Sequence, residues 1–353
     1  MNFPETSNPL YTENPLYTEF FANSDLDAKI ECTKWRGQDS KNSFCFINPK
    51  VKYKEREGVV LNKLKEVFGI TSDTFDTKFR QAISGDGQEV KRISTLHSSS
   101  LAALLMLYSV SQDKPLRCKI KGENYEFVNC YFEVKTEVIN SHSNMDVVLV
   151  GKNSKDEDVI FFLESKFSEY LNTGMCNGIS LKYREIYEKL GLMEADAIKG
   201  LSFGEGKKDD VECLHIKSSN GIPQYCGGIK QMISHYIGVT NFIDKGEEVL
   251  EPKQKSHLNE IVKLRENGAV IILGEVLFAF GDKVDTKSTK LHRYSTIYNE
   301  LAMRLNNHTS NHTSKLIILP EILTYQELLK EFELDEKVKY FYQLRNDSSD
   351  KLK

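Results

Sequence analysis

The chain has 353 residues, with 47 Lys and Arg against 51 Asp and Glu and a formal net charge of −4. A hydrophobic content of 40% is enough for a sizeable core and excludes wholesale disorder. The near-neutral balance excludes a histone-like, bulk-basic nucleic-acid binder but leaves room for a local basic groove.

Length alone suggests about two domains, or one elaborated domain. No apolar stretch follows a basic region at the N-terminus, so no signal peptide is expected. The longest apolar runs, Leu101–Tyr108 and Val159–Leu163 among them, fall far short of the ~20 residues a membrane-spanning helix needs. The cysteines (Cys32, Cys45, Cys118, Cys130, Cys176, Cys213 and Cys226) are odd in number, and no two form a CxxC pair. Free thiols in a reducing cytosol are the expectation, so the protein reads as cytoplasmic with no membrane partner.

In chain order, residues 8–13 (NPLYTE) repeat at once as residues 14–19. Residues 1–25 read as a loosely held tail, with a docking peptide as the alternative. Val59–Phe68 has the stripe of an amphipathic helix. Residues 98–108 (SSSLAALLMLY) read as a buried helix capped by serine. Residues 127–139, 145–150 and 159–166 read as strands, the last two joined by the turn-rich GKNSKDED. A long, poorly patterned insertion spans about 167–224. Gly228–Gly238 is helical, with Ile229, Met232, Ile233, Tyr236 and Ile237 on one stripe. Ala269–Phe278 reads as a buried strand, His292–Leu305 as a helix, and Lys315–Leu319 as a short strand stopped by Pro320. Between the last two, NHTS occurs twice over 307–314 and reads as a polar loop, despite its histidines and Asn-x-Thr triplets. A charged helical tail follows. The whole is a mixed α/β sheet covered on both faces, with N- and C-terminal helical additions, in one domain over 26–353 whose core lies at about 95–320.

The chemically informative segment is Asn144–Glu169. A hairpin centred near residue 154 would place Asp146 opposite residue 162, and period two puts Phe162, Glu164 and Lys166 on one face. Asp146, Glu164 and Lys166 should therefore converge at the end of two otherwise apolar strands. Buried ionisable groups are costly unless they pair or coordinate. Two carboxylates aimed at one point suit a hard cation such as Mg²⁺. An adjacent ammonium can orient a water or steady charge on a phosphate. Surface charges at strand ends are the plainer alternative.

An Asp opening one strand and a Glu-x-Lys closing the next resemble the PD-(D/E)xK nuclease superfamily, in its restriction-endonuclease-like bacterial families. The order helix, three strands, helix, strand over about 95–280 is also similar. The resemblance implies a restriction-endonuclease-like fold and Mg²⁺-dependent cleavage of DNA, with Mn²⁺ able to substitute. It implies Asp146 and Glu164 as metal ligands and Lys166 as the catalytic lysine. A restriction or phage-defence role, and action as a homodimer, are the corresponding expectations.

Accessory candidates follow from position. Glu133, in Phe132-Glu133-Val134-Lys135, lies on the neighbouring strand and either joins the site or pairs across strands with Lys135. Glu169 lies at the site's edge or on a solvated loop. Gln231 resembles the Gln of the Gln-x-x-x-Tyr element of RecB-like members, although His235 stands where the Tyr would be. Helical geometry puts Gln231 and His235 opposite the apolar stripe. His97 reads as a helix cap or core residue, and Glu89 as the nearest acid upstream of that helix. A non-catalytic nucleic-acid-binding or scaffolding protein on the same fold is the competing function.

Overall fold

The computed structural model describes residues 31–34, 42–45, 53–84, 93, 98–171, 177–194, 197–198, 201–208, 211–218, 227–280, 289–310, 316–342 and 344. The NPLYTE repeat, Glu89 and His97 lie outside them. A hairpin of β1 (Glu31–Lys34) and β2 (Asn42–Cys45) precedes helices α1 (Tyr53–Phe68), α2 (Asp73–Ala82) and α3 (Ser99–Leu107). Strands β3 (Leu116–Ile120), β4 (Glu123–Glu137), β5 (His142–Asn153) and β6 (Asp158–Lys166) then form an antiparallel meander. A second, small antiparallel sheet contains β7 (Asn177–Ser180), β8 (Leu201–Lys208) and β9 (Val211–Ser218), with helix α4 (Arg184–Lys189) between its first two strands. The chain continues through α5 (Gly227–Lys245), α6 (Asn259–Glu266), β10 (Val270–Leu277), α7 (Thr289–Ser310), β11 (Leu316–Ile318), β12 (Leu323–Thr324), α8 (Tyr325–Leu328) and α9 (Glu336–Phe341).

The main sheet runs in the order β11-β10-β6-β5-β4-β3, with β12 also paired to β10. Its β10 is parallel to β6, which makes the sheet mixed. A parallel neighbour requires a crossover, and residues 167–269 supply it. Helices cover both faces. One apolar layer joins Leu101–Leu107 of α3, Phe75 and Phe79 of α2, and the C-terminal Tyr325, Phe341 and Tyr342 to Phe161, Leu163 and Val147 of the sheet. The other joins Ile229, Met232 and Ile233 of α5, Tyr298 and Leu301 of α7, and the small sheet to Ile160, Phe162 and Leu273. Among the described residues no helix is long and apolar enough to cross a membrane.

Helix α3 starts as its sequence suggests. The Ser98 hydroxyl accepts the Leu101 N–H at 3.2 Å, and the helix behind it is buried on all sides. Within the 167–224 insertion the described residues include short strands whose glycines and charges (LSFGEGKK, VECLHIKS) blur a period-two signal. Two expectations need correction. Helix α5 runs on to Lys245, beyond the expected stop at Gly238. The first NHTS copy is the last turn of α7 instead of a loop. Thr309 donates back to Leu305 O at 2.7 Å and is buried, and Tyr236 OH lies 2.8 Å from His308 Nδ1.

Gly238 explains why α5 can continue there. A Cβ at this position would stand 2.2 Å from Thr136 Oγ1 and 3.2 Å from Ser143 Cβ, so the missing side chain lets the helix sit close on β4 and β5. Gly238→Ala gains helix propensity, but overpacking of this contact should win. The expected loss is about 1–3 kcal/mol, read as a lower urea midpoint. An unchanged or higher midpoint would refute the close-approach argument.

Candidate active site

Strands β5 and β6 pair Val147 with Leu163 and Val148 with Phe162. Continuing that register sets Asp146 opposite Glu164, whereas the sequence pattern predicts residue 162 there. The connection is the reason. Asn153 Oδ1 accepts the N–H groups of Lys155 and Glu157, both at 3.0 Å, and Asp156 takes a left-handed φ of 62°. The turn is thereby centred one residue later. A register change of two residues preserves the face, so the convergence survives the correction.

Glu133 takes the facing place on β4, between the Phe132–Val147 and Val134–Met145 pairs. Its φ of 50° is left-handed, a costly conformation for a residue with a Cβ. Gln254 braces this point, accepting the Lys135 N–H at 2.9 Å and donating to Glu133 O at 2.6 Å. The alternation of faces slips here on both strands. Tyr131, Val134, Met145 and Val148 pack on the α5 side, whereas Phe132 and Val147 pack on the α3 side. The kink therefore coincides with the acidic positions. Lys135 lies beyond it, buried on the side of Gln254.

On the other flank of β6, the parallel β10 places Glu275 beside Glu164. Four neighbouring strands thus each bring one acid to a transverse row: Glu133, Asp146, Glu164 and Glu275. Glu275 does not stand out in the sequence, where the signal is a lone acid within AVIILGEVLF. It is fully buried, and Tyr294 OH donates to its Oε2 at 2.8 Å.

Glu164 is the centre of the network and is 2% exposed. Its Oε1 accepts from Lys166 Nζ and, at 2.8 Å, from Gln231 Nε2. Its Oε2 lies 2.7 Å from His235 Nε2. Lys166 also donates to Gln231 Oε1 at 3.0 Å. The remaining ring nitrogen, His235 Nδ1, lies 2.6 Å from Ser143 Oγ. A carboxylate only accepts, so Nε2–H points toward Glu164. Burial alone would raise the Glu164 pKa. The Lys166 ammonium and His235 overcome it and hold the group at about 2.

Gln231 and His235 therefore face the sheet, contrary to the expectation that they lie opposite the apolar stripe. His235 is buried beside Met232 and Tyr236 because its polar partners, Glu164 and Ser143, sit within the interface. Glu169 folds back locally, its Oε2 accepting the Phe167 N–H at 2.6 Å.

Asp146 is half-buried, and its Oδ2 accepts the Ser165 N–H at 2.8 Å. Ser165 is itself fixed from the α3 side, by Ser99 O at 3.2 Å and Tyr325 OH at 2.7 Å. Burial first, then the charges of Glu164 and Glu133, push the Asp146 pKa well above its ordinary value. Glu275 is pushed to about 8, by burial opposed by Lys166 and by the Tyr294 hydrogen bond.

As the site stands, no group of three or more His, Cys, Asp or Glu among the described residues is set to hold a metal. The donor chemistry nevertheless suits a hard divalent cation. The ligands on offer are carboxylate oxygens, gathered in one row from neighbouring strands. Asp146 and Glu164 are the two side chains that would hold it. No family model, curated protein or solved structure matches the chain.

Two measurements check these electrostatics. Lys166→Ala strands the buried Glu164 charge with fewer donors and should cost about 3–5 kcal/mol by urea unfolding. A loss below about 1 kcal/mol would show that the pair is not structural. The Glu275 carboxyl binds its proton more tightly folded than unfolded, so its contribution is fully present below about 4.5 and lost as pH rises through about 8. Glu275→Gln has no proton to lose. Its melting temperature relative to the unsubstituted protein should climb between pH 5 and pH 8.5, and a constant difference would count against the raised pKa.

Proposed function

We propose that the chain is a divalent-metal-dependent nuclease that hydrolyses DNA phosphodiester bonds on a restriction-endonuclease-like core. The observation that carries this reading is the facing Asp146–Glu164 pair with the Lys166 ammonium on Glu164. When bound, a cation such as Mg²⁺ or Mn²⁺ supplies Lewis-acid charge at a phosphoryl oxygen and acidifies a coordinated water.

The chain's own residues do the rest. Asp146, held by the Ser165 N–H, and Glu164 present oxygen ligands from adjacent strands. Lys166 brings positive charge to the same point, where it can steady the charge that builds on the phosphate. Gln231 and His235 fix the Glu164 carboxylate in orientation, and the Ser143 hydroxyl sets the ring of His235. Buried supports of this kind keep a site preorganised.

A non-catalytic DNA-binding protein is the second reading, favoured by one observation. Both Glu164 oxygens already have partners, so an incoming cation must compete with them.

Asp146→Asn separates the two readings. The amide keeps an oxygen to accept the Ser165 N–H, so the fold should stand. Cleavage of plasmid and linear DNA in Mg²⁺ should fall by at least about 100-fold, a loss of roughly 2.7 kcal/mol of transition-state stabilisation. EDTA should abolish cleavage by the unsubstituted protein. Magnesium-dependent cleavage that persists in Asp146→Asn would overturn the nuclease assignment to this site. Binding without turnover by the unsubstituted protein would favour the second reading.

A further inference from the structure

A row of acids repels a polyanion, and a net charge of −4 gives no bulk attraction to offset this. A nuclease of this composition needs a local basic surface next to its acids. The structure has a cavity of about 600 Å³ in that place, between the end of α2, the far ends of β4 and β5, and the turn before α6. Its walls carry Arg80, Lys135 and Lys253, with His142 and His257. The acid in its lining, Glu251, lies 3.6 Å from His142 Nε2. Three permanent cations thus outweigh one carboxylate.

The cavity is physically tied to the acid row. Lys135 follows Glu133 by two residues on β4, roughly 7 Å along a strand. Gln254, also in the wall, hydrogen-bonds Glu133 O and Lys135 N. One side chain therefore braces both the kink that presents Glu133 and the rim of the cavity. Arg80 and Lys253 are exposed, and the contact of Arg80 with Glu57 at 3.9 Å is a loose surface pair of little energetic value. Neither cation is needed to hold the fold.

We infer that this cavity seats backbone phosphates of the DNA strand whose scissile bond lies at the acid row. The inference rests on the nuclease reading and deepens it by naming where the substrate is held. Arg80 and Lys253 contact phosphate from the open side, and Lys135 does so from the wall nearest the acid row. Interactions of this kind position the strand without reading its sequence.

Fluorescence anisotropy with a short DNA duplex, in EDTA so that nothing is cut, tests the seat. The double variant Arg80→Gln/Lys253→Gln should bind about tenfold more weakly. Its dependence of log K on log salt should be shallower by roughly 1–2 units, at about 0.9 for each phosphate that is no longer neutralised. Its melting temperature should be unchanged. Lys152→Gln, near the hairpin turn at the opposite end of β5, should bind like the unsubstituted protein. Equal affinity and slope in the double variant, with binding intact in the unsubstituted protein, overturns the phosphate seat alone. No DNA binding by the unsubstituted protein overturns the nuclease reading, and the seat with it.

Discussion

A single buried carboxylate sets the terms for the rest of this structure. Glu164 is out of water yet ionised, a state that costs several kcal/mol unless the charge is met by donors in good geometry. Three donors meet it. Lys166 comes from two residues along the same strand, while Gln231 and His235 come from one helix face, four residues apart. Delivering the last two requires α5 to lie close on β4 and β5, and the bare backbone of Gly238 against Thr136 and Ser143 permits that approach. The distance between helix and sheet, the placement of His235 and the ionisation of Glu164 are one problem with one solution. The site and the stability of this end of the core are therefore coupled.

Around that fixed charge the other acids are tuned differently. Asp146 and Glu275, on the strands flanking β6, hold their protons more tightly than usual, while Glu164 holds its proton less tightly. Burial disfavours the charged form of each, the neighbouring carboxylates add to that, and the nearest ammonium serves Glu164 most directly. The strained backbone at Glu133 belongs to the same arrangement. Its left-handed φ is held in place by the Gln254 side chain, so an unfavourable backbone is secured by a polar brace instead of apolar packing.

Much of this is legible in the residues because the signals are local. Strand period and the Asp, Glu-x-Lys spacing bring Asp146, Glu164 and Lys166 together, and a hairpin register wrong by two residues does no harm because the parity is right. What stays hidden depends on distant pairing. Nothing near Glu275 says that β10 lies parallel to β6, so its place beside Glu164 emerges only from the sheet order. By pattern, His235 and Gln231 belong to the polar side of a helix. An amphipathic pattern assumes an apolar partner surface, and here that surface contains a carboxylate. The kink at Glu133 leaves no mark in a sequence of good strand formers. The strands of the insertion are unreadable because they are short, interrupted by glycines or charges, and form a separate small sheet.

The parallel pairing of β6 with β10 has a bearing on how the protein comes into being. The meander from β3 to β6 closes through short turns, so Asp146 and Glu164 meet early, across a contact of low sequence separation. Two of the three partners that stabilise Glu164 lie some 70 residues further on, and Glu275 lies beyond the whole crossover. On a chain emerging from the ribosome, the paired acids therefore precede their support. The row of acids and its buried supports are complete only when the crossover has wrapped one face of the sheet and β10 has docked, so on a growing chain the hairpin that carries Glu164 waits, its charge still solvated, for α5 and then β10.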